Sequence, residues 1–135
     1  MGKKARKAAK KAAKSVTKTV TKVVEDVNPF YKNGDGGNDN FSIYGAGEAY
    51  GNGGNDTLKA YAISVKLDGG SGNDKIYSYS GKSKLYGGSG NDYIEAKGLS
   101  NYISGGSGND TIRAYAASNK IYGGDNNDNI KAWGG

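Results

Sequence analysis

Apolar residues recur along this chain with a period too long for one helix or one strand. Phe41, Leu58, Ile76, Ile94, Ile112 and Ile130 occupy equivalent places, and Leu67, Leu85, Ile103 and Ile121 follow four of them at nine residues. Around each of these, apolar or small residues alternate with polar ones, the pattern of a strand with one buried face. With Leu58, Ile76, Ile94, Ile112 and Ile130 inward, the residues two further on are Ala60, Ser78, Ala96, Ala114 and Ala132. These also point inward and are small, as a thin structure requires. Lys59, Tyr77, Glu95, Arg113 and Lys131 then form one outward row, and Tyr61, Tyr79, Lys97, Tyr115 and Trp133 the next. Fixed self-similarity of this kind predicts a solenoid in which each repeat is one coil.

The beginning of the chain follows another rule. Ala5, Ala8, Ala9, Ala12, Ala13, Val16, Val20, Val23, Val24 and Val27 recur at spacings of three and four, lysines fill the other face, and Pro29 ends the pattern. This predicts an amphipathic helix over about residues 3–26, about 36 Å long. Its Thr/Val stretch at 16–24 also has strand propensity. The expected organisation is therefore a basic helix and linker over 1–32 and a solenoid over 33–135.

Between the strands lie turns, and the turns are periodic too. The pairs Asn38-Asp39, Asn55-Asp56, Asn73-Asp74, Asn91-Asp92, Asn109-Asp110 and Asn127-Asp128 are separated by 17, 18, 18, 18 and 18 residues. Each coil has two nine-residue halves. The first halves read GGSGNDKIY (69–77), GGSGNDYIE (87–95) and GGSGNDTIR (105–113), with looser copies GDGGNDNFS (34–42), GNGGNDTLK (51–59) and GGDNNDNIK (123–131). This resembles the nonapeptide Gly-Gly-x-Gly-x-Asp-x-apolar-x of the RTX (repeats-in-toxin) haemolysin-type calcium-binding family. The second halves, AYAISVKLD (60–68), SYSGKSKLY (78–86), AKGLSNYIS (96–104) and AYAASNKIY (114–122), keep the length and the apolar place but lack the glycines and the motif's aspartate. The resemblance implies an all-β solenoid, a parallel β-roll of 18-residue coils, beside the N-terminal amphipathic α-helix. Successive nonapeptides of the family lie on opposite sides of the roll, which here implies a calcium ladder on one side only.

Chemistry supports the cation on its own terms. Glycine-rich turns adopt positive φ and turn carbonyl oxygens inward, and aspartate adds a carboxylate. Oxygen ligands without nitrogen or sulfur suit a hard cation, and a flexible turn suits Ca2+ better than Mg2+. Aspartates stacked at the strand spacing of about 4.8 Å repel by about 1 to 3.5 kcal/mol per neighbouring pair. The expected metal residues are Asp39, Asp56, Asp74, Asp92, Asp110 and Asp128, with Gly69, Gly87, Gly105 and Gly123 and with Gly72, Gly90 and Gly108. The competing explanation is that Asn and Asp only make good turns and stack as polar ladders. Turn chemistry alone accounts for neither the fixed Gly-Gly-x-Gly nor the invariant Asp.

Composition narrows the remaining functions. Twenty-four of 135 residues are glycine and 35% are hydrophobic, too few for a thick core. The absence of cysteine removes disulfides and thiolate sites, and the absence of histidine removes the commonest general base and zinc ligand. Glu48 and Glu95 stand apart from the turns, and no nucleophile–base pair is evident, so no enzyme and no small-molecule substrate is expected. The net charge of +6 is uneven: residues 1–32 carry ten Lys/Arg against two acids, and the rest nine against eleven. No apolar run is long enough for a transmembrane helix.

Two functions remain. The first is an extracellular or cell-surface bacterial structural protein that folds on Ca2+ and associates head to tail, because nothing after residue 131 reads as a polar cap unless the chain is a fragment. The second is a monomeric adhesion module. It would bind a glycan or protein through Tyr61, Tyr79, Tyr115 and Trp133, or a polyanion, glycan or membrane surface through the Lys-rich helix.

Overall fold

A computed structural model describes residues 30–134, and the helix expected over 3–26 lies outside the described residues. The described residues contain no helix. They form ten strands: β1 (Tyr31–Asn33), β2 (Asn40–Tyr44), β3 (Gly47–Tyr50), β4 (Thr57–Tyr61), β5 (Ser64–Asp68), β6 (Lys75–Tyr79), β7 (Lys82–Ser89), β8 (Tyr93–Ser107), β9 (Thr111–Tyr122) and β10 (Asn129–Trp133).

All pairings are parallel, and each strand pairs with its equivalent one coil away. One face is built from β2, β4, β6, the start of β8, the start of β9, and β10. The other is built from β1, β3, β5, β7 and the later parts of β8 and β9. Ile76 lies opposite Ile94, which lies opposite Ile112, so the 18-residue period of the sequence is the register of the sheet. The described residues form an all-β parallel solenoid.

Between the two faces lies a core one side chain thick. Leu58, Ile76, Ile94 and Ile112 meet Leu67, Leu85 and Ile103, all with no solvent exposure, and Ala60, Ala96 and Ala114 fill the narrower places. Such a column stabilises by apolar burial at about 25 cal/mol per Å² and needs a coil on both sides of each residue. The end coils show this dependence. Ile130 and Ala132, expected inward, are exposed because no coil among the described residues lies beyond β10. Phe41 at the other end is half-buried.

The coil reverses direction at two unlike edges. One edge carries the six-residue Gly/Asn/Asp turns, such as 69–74. The other turns within two residues, such as Ser80 and Gly81, and holds a small polar seam. In that seam Ser78 Oγ lies 2.7 Å from Ser83 Oγ, Ser80 Oγ accepts from the Ala62 N–H, and Asn101 Nδ2 donates to Asn119 Oδ1 at 3.0 Å.

Candidate metal centre

The motif glycines divide into two kinds. Gly70, Gly88, Gly106 and Gly124 have φ of 85–93°, and Gly72, Gly90 and Gly108 have φ of 102–103°. Both positions need the left-handed region, where glycine is favoured and asparagine is the usual second choice. The looser end copies use that second choice: Asn52 (φ 69°) stands where the next coil has Gly70, and Asn126 (φ 74°) where the previous coil has Gly108. The first glycine of the motif is required for space instead. A β-carbon on Gly87 would lie 2.6 Å from Asp92 Oδ2 and 2.6 Å from the carbonyl oxygen of Gly105. At Gly105 it would lie 2.6 Å from Asp110 Oδ2 and from the carbonyl oxygen of Gly123. The turn is therefore closed around a carboxylate oxygen of its own coil and a carbonyl oxygen of the next.

Two hydrogen-bond ladders run along this edge in opposite directions. Each aspartate reaches back: Oδ1 of Asp74, Asp92 and Asp110 accepts from the N–H of Asp56, Asp74 and Asp92 at 2.8, 2.8 and 2.9 Å. Each asparagine reaches forward: Oδ1 of Asn55, Asn73 and Asn91 accepts from the N–H of Asn73, Asn91 and Asn109, all at 2.8 Å. Both ladders continue through the end coils. The asparagine ladder is the structural role that the polar-ladder explanation of these turns anticipates. The periodicity of these asparagines was the available signal for it, since an amide offers an acceptor and no charge.

The second carboxylate oxygens are different. Oδ2 of Asp56, Asp74, Asp92 and Asp110 is buried and has no hydrogen-bond partner. Burial raises the pKa of all four, to about 6 at Asp74 and Asp110 and about 8 at Asp92. The neighbouring aspartates raise them further, and the backbone N–H bonds oppose the rise. Four desolvated, mutually repelling carboxylates with orphaned oxygens constitute an unsatisfied anion column. Among the described residues no three or more Asp, Glu, His or Cys side chains gather, so a cation here must take part of its coordination from backbone carbonyls. That matches oxygen-only calcium chemistry.

Four copies of the RTX calcium-binding nonapeptide repeat are recognised, over residues 44–62, 50–85, 68–102 and 95–130. The chain belongs to that family. RTX repeats bind calcium, and the residues of this β-roll fit the ion. Asp56, Asp74, Asp92 and Asp110, with the carbonyls of Gly69, Gly87, Gly105 and Gly123, would hold it. Bound there, Ca2+ supplies positive charge and room for further oxygen ligands. No curated protein and no solved structure matches the chain.

Of the other expected metal residues, Asp39 and Asp128 lie at the two end coils and are only half-buried. Asp39 Oδ2 accepts from the Asp35 N–H at 3.0 Å, so its second oxygen is already engaged. Gly72, Gly90 and Gly108 shape the turn.

The aromatic row forms a pile along one face. Tyr44, Tyr61 and Tyr79 stack at 5.5 and 5.2 Å, and Tyr115 stacks on Trp133 at 4.4 Å. Between the two stacks Lys97 Nζ lies 5.6 Å from the Tyr79 ring and 5.7 Å from the Tyr115 ring. The rings cover one another's flat faces and show their edges outward.

Proposed function

We propose that this protein is an extracellular structural β-roll held in its folded form by calcium, and that folded copies associate end to end. The observation that carries the reading is the column of buried, unpartnered Asp Oδ2 atoms on one edge. Without a cation the fold encloses repelling charges, and with one the same residues bind coil to coil. Repeats of this family are structural, not catalytic, and its members are typically secreted bacterial proteins. Oxygen-only turn sites also suit the 10⁻⁴–10⁻³ M affinities of extracellular calcium modules.

End-to-end association is supported by how the ladders finish. Among the described residues, Asn127 Oδ1 and the Asp128 N–H have no partner at one end, and the Asn38 N–H and Asp39 Oδ1 have none at the other. These are the complementary halves of the two bonds repeated in every internal coil. The strand Asn129–Trp133 also carries the same pattern as Asn40–Tyr44, so stacking one on the other would bury Ile130 against Phe41 and place Trp133 on Tyr44. A contact of that kind is heterologous and generates filaments.

Sedimentation and electron microscopy of the full chain at millimolar calcium test this. Calcium-dependent fibres that are lost in Asp128→Lys are expected. Monodisperse monomers at high protein and calcium concentration would favour the adhesion-module reading instead.

A further inference from the structure

The face opposite the aromatic pile carries a groove of about 590 Å³ at its margin. Lys66, Lys82 and Lys84 line it, with Ser64, Ser100 and Tyr102 between them. We propose that this groove binds an acidic polysaccharide, a linear chain of uronic acid units lying along the solenoid axis.

Charge is the first argument. Of the eleven acids in residues 30–134, eight stand on the turn edge: Asp35, Asp39, Asp56, Asp74, Asp92, Asp110, Asp125 and Asp128. Only Glu48, Asp68 and Glu95 share the two faces with ten lysines and arginines. Lys82 and Lys84 have no ion-pair or hydrogen-bond partner among the described residues. Lys66 is held between the rings of Tyr50 and Tyr86, at 5.3 and 5.8 Å. The one carboxylate on the groove is Glu48, at its far end, and it already accepts from the Tyr50 hydroxyl at 2.8 Å. Three ammonium groups against one engaged carboxylate call for an anion.

Arrangement decides which anion. Lys66 and Lys84 are register partners on successive coils, and Ser64, Lys82 and Ser100 form a parallel column beside them. Positive charges therefore follow the axis at the coil spacing of about 4.8 Å, which suits a linear ligand with regularly spaced charges. The groove has no arginine, so an anion there meets ammonium point charges and hydroxyls, not a planar fork. Serine hydroxyls both donate and accept, which suits sugar hydroxyls, and the Tyr102 ring offers an amphipathic wall. The volume lies within the range of small-ligand sites and takes a few sugar units, not a folded partner.

The test uses the full chain at fixed free calcium and low ionic strength, with hexagalacturonate as the probe and calorimetry as the readout. The triple variant K66Q/K82Q/K84Q is expected to bind about tenfold more weakly. The triple variant K59Q/R113Q/K131Q removes the same charge from the opposite face and should stay within about twofold of wild type. Lys84→Gln alone, exposed and unpartnered, should give about a threefold loss in a chain certain to fold. Circular dichroism and calcium stoichiometry must match wild type in all three. Equal losses from the two triples would reduce the effect to general electrostatics and overturn the groove. So would absence of hexagalacturonate binding by wild type, or groove-dependent binding of a single-stranded oligonucleotide in its place. None of these outcomes touches end-to-end association, which is read separately by sedimentation.

Discussion

The two edges of the coil do the same geometric job with opposite chemistry. At the two-residue edge the chain reverses through Ser80 and Gly81, and the polar seam is largely closed within the protein: serine to serine, serine to backbone, asparagine to asparagine. At the Gly/Asn/Asp edge the backbone is just as well bonded, yet each internal coil leaves one buried carboxylate oxygen with nothing. The first edge is complete but for one acceptor, Asn101 Oδ1. The second is complete only with a cation, so stability there is conditional on solution conditions. A solenoid built with one closed edge and one open edge places its calcium control on a single line of residues.

The sharpest way to break the comparison is to remove calcium. In chelator at pH 8 the full chain is expected to lose most of its β-signal by circular dichroism and to regain it cooperatively as calcium is added. An undiminished β-spectrum in chelator would show that the turn edge is as self-sufficient as the other.

Next in size is the contrast between aspartates on and off the ladder. Asp92→Ala removes the acceptor of the Asp74 N–H and one orphaned oxygen. The unpaired buried N–H alone costs about 1–3 kcal/mol, and calcium affinity should fall at least tenfold. Asp68→Ala loses only the bond from the Gly70 N–H, at 3.1 Å and half-exposed, and should cost under about 1 kcal/mol with calcium affinity unchanged. Calcium titration of both variants decides, and equal effects would refute a one-sided ladder.

The period, the strands, the one-sidedness of the motif and the identity of the carboxylates could be read from the chain, because each is a property of single residues repeating at 18. What could not be read depends on relations between coils. Nothing in Gly-Gly-x-Gly-Asn-Asp states that Asp bonds backward and Asn forward. Gly87 and Gly88 look alike in sequence, yet one is needed for space beside Asp92 and the other both for its φ of 93° and for room beside the Gly70 carbonyl. Ile130 reads as core by pattern and is 42% exposed, because burial in a solenoid is supplied by the next coil and not by the residue. Lys66 and Lys84 share one place in the period, and Lys82 stands two residues from Lys84. Yet the groove they line with Ser64, Ser100 and Tyr102 takes shape only in the register of β5, β7 and β8.

Acidity offers a smaller lever on the same asymmetry. Burial holds Asp92 at about 8 and Asp74 and Asp110 at about 6, against about 3.9 in an unfolded chain. Between roughly pH 4 and 8 the calcium-free fold therefore binds more protons than the unfolded chain, and its stability falls as pH rises. In chelator the β-signal should be stronger at pH 5 than at pH 8. Calcium competes with the same protons, so adding it at pH 7 to the calcium-free chain that is still folded should release protons, chiefly from Asp92, and at pH 9 release almost none. Calcium-free stability that rose from pH 5 to pH 8 would contradict a desolvated carboxylate column. The closed edge holds no titrating group in its seam and should not respond.

The smallest expected effect compares one asparagine from each edge. Asn91→Ala deletes the acceptor for the Asn109 N–H, leaving that exposed donor to water, so the loss is about 0.5–1.5 kcal/mol. Since Asn91 carries no charge and its coil keeps Asp92, calcium stoichiometry should stay the same and affinity should fall only slightly. Asn101 is buried at the other edge, where its Nδ2 bonds Asn119 but its Oδ1 has no partner. Replacing it with alanine loses the bond and opens a small void, but it also removes a buried unsatisfied acceptor. These terms oppose one another, and the net change should lie within about 1 kcal/mol of zero. Urea unfolding at saturating calcium measures both variants on one scale. If Asn101→Ala proved the costlier by more than about 2 kcal/mol, the seam at the two-residue edge would be the main polar clamp of the coil. The calcium edge would then be the accessory, and the asymmetry would run the other way.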